Sequence, residues 1–107
     1  MNSAPEIPPE FVEGREWRFT IPIAISGKVQ GVYYRQSAKE KAVELGLTGE
    51  VRNLREGNVQ IIATGTKEQL SVFSEWCKKG PPRAVVTGVE IIELPLRSFV
   101  HFSIVRF

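Results

Sequence analysis

Hydrophobic and polar residues alternate along the chain from Trp17 onwards. Every second side chain over residues 17–25 is aromatic or isoleucine, which is typical of a β-strand with one buried face. Pro22 lies inside this strand, and because proline removes a backbone donor we expect a bulge or an unpaired position there. Gly27 and Gly31 then interrupt the strand.

A helix with one apolar face is predicted directly after these glycines. Its charged side chains lie on the opposite face, and Gly46 supplies a C-terminal stop. The apolar residues that recur at helical spacing are Tyr34, Ala38, Ala42 and Leu45.

A second helix is predicted to begin at Thr66. Gln69 follows three residues later, so the two side chains can form a capping box. The sequence Gly-Pro-Pro at residues 80–82 ends this helix. Its inward-facing residues are expected to be Leu70, Phe73, Trp76 and Cys77.

Further alternation predicts strands at about 47–54, 58–64, 84–93 and 100–106. Gly57 suits the turn between the first two of these strands. The order is β-α-β-β-α-β with an extra C-terminal strand. This order predicts an α+β, ferredoxin-like (split βαβ) fold, with an antiparallel sheet and both helices on one face. The right-handed crossover preference places the first strand beside the third, inside the sheet.

Composition indicates one globular domain over residues 17–107, preceded by a flexible proline-rich tail over residues 1–16. The 107 residues are 42% hydrophobic and 24% charged, with a net charge of +2. This charge is too small to indicate a nucleic-acid or membrane partner. The single cysteine excludes an intrachain disulfide, and no secretory signal is recognised, so we expect a cytoplasmic protein. Nothing in the sequence requires more than a monomer.

The junction between the first strand and the first helix is the strongest candidate for chemistry. Such a junction directs free backbone N–H groups and the positive end of the helix dipole at one point. Gly27 and Gly31 allow the chain to curl into an anion-binding nest. Arg35, in the first helical turn, could bind two oxygens of one phosphate. From these residues alone, an ordinary glycine-containing connection with a surface arginine remains open.

Two motifs together resemble those of a known family. Residues 27–35 read GKVQGVYYR, and residues 49–53 read GEVRN with Gly57 after them. They resemble the G-x-V-Q-G-V-x-x-R and G-x-V-x-N signatures of the acylphosphatases, and the order of elements agrees from about Trp17 to Phe107. One departure is Glu50, which occupies a position that is often aromatic in that family.

The resemblance implies a hydrolase that splits an acyl phosphate into a carboxylate and inorganic phosphate, by direct attack of a positioned water. It implies that Arg35 binds the phosphoryl group and that Asn53 positions the water. No metal ion, cofactor or covalent intermediate is expected. The loop that would cradle the phosphate consists of Lys28, Val29, Gln30, Gly31, Val32 and Tyr33.

Two binding functions are the alternatives. A domain that only binds acyl or carbamoyl phosphate would carry the same motifs, but we expect such a domain within a longer chain. An RNA-recognition domain would need aromatic residues on its central strands, and residues 58–64 contain none. His101, on the outward face of the last strand, and Cys77, in the core, are interpreted as structural.

Overall fold

A computed structural model describes residues 18–91 and 100–106. Its elements in chain order are β1 (Arg18–Lys28), α1 (Tyr34–Leu45), β2 (Thr48–Asn53), β3 (Val59–Thr66), α2 (Lys67–Lys79), β4 (Val85–Ile91) and β5 (Phe102–Val105). The predicted order, including the additional C-terminal strand, is confirmed. The predicted tail over residues 1–16 lies outside the described residues.

The strands form one five-stranded sheet in the order β4-β1-β3-β2-β5. As predicted, β1 lies beside β3 in the interior, and it is antiparallel to both β3 and β4. The strands β1 to β4 pair antiparallel as predicted, and the extra strand β5 pairs in parallel with β2. The reason is that β5 runs opposite to β4 at the other edge of the sheet, and therefore in the same direction as β2.

The expected irregularity at Pro22 is found elsewhere. Pro22 keeps a regular register opposite Ile62 in β3, and over the described residues the ladder with β4 begins at Ile23. The register shift lies between Ser26 and Gly27 instead. Gly27 has a φ of 120°, and a Cβ there would collide with the backbone of β4. The bulge therefore depends on glycine rather than on proline.

Both helices pack on one face of the sheet over a single hydrophobic core. Most of the predicted inner-face residues are buried, whereas Leu45 and Trp76 are partly buried at the edge of the core. The Trp76 ring stacks on Phe73, with centroids 6.1 Å apart. The largest fully buried side chains are Tyr34, Phe73, Ile23, Ile25, Ile61, Val29, Val51, Val59 and Cys77.

A buried hydrogen bond links the two helices. The Tyr34 hydroxyl donates to the backbone carbonyl of Cys77 over 2.8 Å. Burial raises the pKa of the Tyr34 hydroxyl, and it raises the pKa of the Cys77 thiol to about 12. The thiol therefore stays protonated at neutral pH, in agreement with its interpretation as a structural residue. Because Tyr34 begins α1, this contact holds the first turn of that helix against the core.

No helix within residues 18–91 or 100–106 is long and apolar enough to cross a bilayer.

Candidate functional site

A pocket of about 230 Å³ lies where the β1–α1 loop meets the ends of β2 and β5. It brings together Arg35 and Asn53, which come from different elements. The loop supplies one wall, and the sheet supplies the other. The residues that line it are Val29, Gln30, Gly31, Tyr33, Tyr34, Arg35, Gln36, Asn53, Ile104 and Arg106.

The β1–α1 loop reaches the helix through two left-handed residues. Gly31 has a φ of 74°, and Tyr33, the N-cap of α1, has a φ of 70°. The Tyr33 side chain makes no capping hydrogen bond, and the first helical bond runs from the N–H of Ser37 to the carbonyl of Tyr33. The preceding N–H groups of the first turn therefore have no acceptor within the helix.

The first turn of α1 also favours an anion electrostatically. It contains no acidic residue, and the positive end of the helix dipole lies there. Val29 and Val32, which are 1% and 6% exposed, anchor the loop in the core. The backbone of the loop is thus held by apolar burial while its amides remain near the pocket.

Gln30 connects this loop to the neighbouring hairpin. Its Nε2 atom donates to the backbone carbonyls of Leu54, at 2.7 Å, and Asn58, at 2.9 Å. Leu54 directly follows Asn53 and closes the hairpin by donating its N–H to the carbonyl of Asn58. The loop and the end of β2 are therefore joined by side-chain bonds as well as by the core.

Arg35 contributes positive charge to the pocket from the first turn of α1. Its side chain is half-buried and lines the pocket. Within the described part of the chain, Arg35 forms no ion pair, and no carboxylate is among the lining residues. A guanidinium in this situation can bind an incoming anion without first giving up an internal partner.

Asn53 is the last residue of β2 and lies opposite Val59. It shares the core-facing side of the strand with Val51, because side chains alternate along a strand. Its Oδ1 atom is buried and has no hydrogen-bond partner among the described residues. Leaving a buried amide oxygen unsatisfied costs about 1–3 kcal/mol, which points to a role in binding a polar molecule.

The predicted loop residues do not all reach the pocket. Lys28 is exposed at the end of β1 and Val32 is buried beneath the loop, and neither lines the cavity. The pocket also contains Gln36, Ile104 and Arg106, which sequence reasoning missed. Arg106 continues the inward alternation of the last strand beyond Ile104, and this pattern is the signal that could have identified it.

Glu50 lies on the opposite face of β2 from Asn53. Its carboxylate is largely buried and accepts a hydrogen bond from the Arg52 guanidinium at 2.8 Å. The departure from an aromatic residue is therefore accommodated by an ion pair away from the pocket.

The position of His101 and the arrangement of potential metal ligands bear on histidine and metal chemistry. His101 is exposed just before β5, and its backbone carbonyl accepts a hydrogen bond from Gly49. Over residues 18–91 and 100–106, no three His, Cys, Asp or Glu side chains lie close enough to hold a metal ion.

Comparison with known proteins identifies relatives along most of the chain. A family model described as Acylphosphatase matches residues 21–104. An acylphosphatase from Marinobacter nauticus is 59% identical over 73 residues, which cover 68% of this chain and 79% of that protein. One from Methylococcus capsulatus is 45% identical over 87 residues, which cover 80% of this chain and 95% of the relative.

Solved structures agree with this result. An acylphosphatase from Coxiella burnetii superposes with a TM-score of 0.76 at 39% identity, covering 81% of this chain and 92% of that one. A HypF from T. kodakarensis superposes with a TM-score of 0.68 at 34% identity, covering 78% of this chain but only 11% of the much longer HypF chain.

Proposed function

This chain belongs to the acylphosphatase family, which hydrolyses acyl phosphates, and we propose that Arg35 and Asn53 perform that reaction here. The observation that carries this assignment is the shared pocket, which is lined by both residues; among the described residues the Arg35 guanidinium has no ion-pair partner and the Asn53 Oδ1 atom has no hydrogen-bond partner. The Arg35 guanidinium can bind the anion, and the Asn53 amide can bind a water molecule.

The phosphoryl group is bound by Arg35 and by the backbone amides of the loop. The planar guanidinium can contact two oxygens at once, while the N–H groups of the first turn of α1 supply further donors. In the loose transition state of phosphoryl transfer, negative charge is spread over these oxygens. Donors that are already oriented stabilise that charge without reorganising during the reaction.

The attacking water is positioned by Asn53. Its side-chain amide can form a hydrogen bond with the water without deprotonating it, which turns an oxygen lone pair towards phosphorus. The bond from the water oxygen to phosphorus forms as the bond to the acyl oxygen breaks. The leaving carboxylate is a weak base and needs no general acid, and the water proton passes to a phosphoryl oxygen of the substrate. Neither step requires a metal ion.

The same site could serve a module that only binds acyl or carbamoyl phosphate. The HypF match concerns a small part of a much longer protein, whereas this chain matches most of the length of the acylphosphatases described above, which favours the enzyme. We also propose that the protein acts as a cytoplasmic monomer. A single, buried cysteine supports a reducing compartment.

The function is tested by measuring phosphate release from an aryl acyl phosphate in excess chelator. We expect turnover that the chelator leaves unchanged. A binding module would instead retain inorganic phosphate in a titration while releasing none from the substrate. Loss of activity in chelator that Mg²⁺ restores would contradict the metal-free reaction.

A further inference from the structure

The pairing of β5 with β2 brings a second arginine into the pocket that contains Asn53. In this parallel ladder Val51 lies opposite Ile104, and Arg52 lies opposite Val105. Arg106 directly follows β5, and a continuation of this register by one step would set it level with Asn53. Because side chains alternate along a strand, Arg106 shares the core-facing side with Ile104, and it lines the same pocket.

Arg106 is a charged group with no ion-pair partner among the described residues. Over residues 18–91 and 100–106 it forms no ion pair, and no acidic residue lines the pocket. Arg106 is more exposed than Arg35, so its charge acts on the pocket through a medium that salt can screen.

The geometry of the reaction indicates from which side of the phosphorus atom Arg106 would approach the phosphoryl group. In-line displacement requires the attacking water and the departing acyl group to lie on opposite sides of phosphorus. If Asn53 holds the water, as the proposed function requires, then Arg106 approaches from that same side. We propose that Arg106 is a second cationic contact of the phosphoryl group, placed on the side of the attacking water.

This contact complements the one made by Arg35. Arg35 lies on the loop wall, where its planar fork suits two phosphoryl oxygens. Arg106 lies on the sheet wall, where its positive charge reduces the repulsion between the anionic oxygens and the water lone pair. A point charge is sufficient for that purpose, so lysine should replace arginine at position 106 but not at position 35.

The test compares Arg106→Gln and Arg106→Lys with the wild type, using inorganic phosphate as the binding probe and an aryl acyl phosphate as the substrate. Arg18→Gln is the matched control, because it removes the same charge at the other end of β1, about 33 Å from Lys28 at 3.3 Å per residue. Each measurement is repeated from about 0.01 M to about 1 M salt, over which the Debye length falls from about 30 Å to about 3 Å.

We expect Arg106→Gln to weaken phosphate binding about fivefold at low salt, the upper range for an exposed charge pair. The loss should fade at high salt, and Arg106→Lys should restore binding, whereas a purely structural role would give neither result. The proposal would be overturned if Arg106→Gln bound phosphate as tightly as Arg18→Gln. It would also be overturned if Arg106→Lys bound phosphate as weakly as Arg106→Gln. If the glutamine variant fails to fold, Arg106→Ala is measured in its place, with the same expected loss at low salt and the same outcome overturning the proposal. If the wild type is active but the Arg106 variants bind phosphate as it does, only this inference is refuted. If the wild type binds phosphate but does not hydrolyse the substrate, the proposed function is refuted.

Discussion

The side-chain amide of Gln30 donates a hydrogen bond to the backbone carbonyl of Leu54 over 2.7 Å. The same nitrogen donates to the carbonyl of Asn58 at 2.9 Å. These bonds connect the loop proposed to hold the phosphoryl group with the strand end that carries Asn53. The anion and the water are thereby held in a fixed relation, which matters because small misplacements of reacting groups lower the rate strongly.

Replacing Gln30 with alanine should therefore lower both stability and turnover. Two carbonyls lose a donor, and we expect a loss of about 1–3 kcal/mol in the free energy of unfolding. Turnover of the fully folded variant should fall more than its affinity for inorganic phosphate. Gln60→Ala, on the other face of the sheet, is the control for loss of an amide side chain. A folded Gln30→Ala enzyme with wild-type turnover would show that this connection is dispensable.

Arg35→Lys tests the binding geometry at constant charge. Lysine keeps the positive charge but cannot form two parallel hydrogen bonds to one phosphoryl group. We expect turnover to fall about 10²-fold or more, as for other lost transition-state donors, with weaker phosphate binding and an unchanged melting temperature. The measurements are steady-state kinetics, phosphate titration and a thermal melt. Activity within about twofold of wild type would exclude Arg35 as the phosphate ligand.

Asn53→Ala separates positioning of the water from binding of the anion. If Asn53 acts on the water alone, the variant should lose its turnover while its affinity for inorganic phosphate stays close to wild type. The Arg35 variants should instead lose that affinity, because ground-state binding and nucleophile placement belong to different residues.

The alternative for Asn53 is a structural role at the end of β2. In that case the variant would melt earlier and lose activity only in proportion to its unfolded fraction. Phosphate titration, a thermal melt and a turnover assay on Asn53→Ala distinguish the two roles. Normal turnover in a folded variant would exclude Asn53 from the reaction.

Stability should fall in alkaline solution because of Cys77. Burial raises the pKa of its thiol from 9.0 to about 12, so the unfolded chain releases this proton before the folded chain does. The free energy of unfolding is therefore unaffected below pH 9 and decreases between about pH 9 and pH 12, by up to about 1.4 kcal/mol per pH unit. The raised pKa of Tyr34 acts in the same direction.

Denaturant unfolding at about pH 8 and about pH 10 measures this decrease in the free energy of unfolding. One thiol contributes at most about 1.4 kcal/mol per pH unit. Cys77→Ala, which lacks the titrating group, should show a smaller decrease between the two pH values than the wild type. Equal decreases in the two proteins would contradict the assignment.

Features that depend on neighbouring residues were predictable from the sequence. Thr66 and Gln69 form the expected capping box, because three residues of helix bring them together in any fold. Gly46 and Gly57 have positive φ values where a helix end and a turn were predicted. The order of elements follows from the same local periodicities. The resemblance of two motifs nominated Arg35 and Asn53, and the structure places both in one pocket.

Features that depend on which strands pair were decided only by the tertiary structure. The parallel pairing of β5 brings Arg106 into one pocket with Asn53, and the approach of β4 puts the bulge at Gly27 rather than at Pro22. The bonds from Gln30 reach residues 24 and 28 positions away. Local alternation specifies which face of a strand is buried, but not its neighbour or direction. Those are determined by the packing of the complete sheet and its helices.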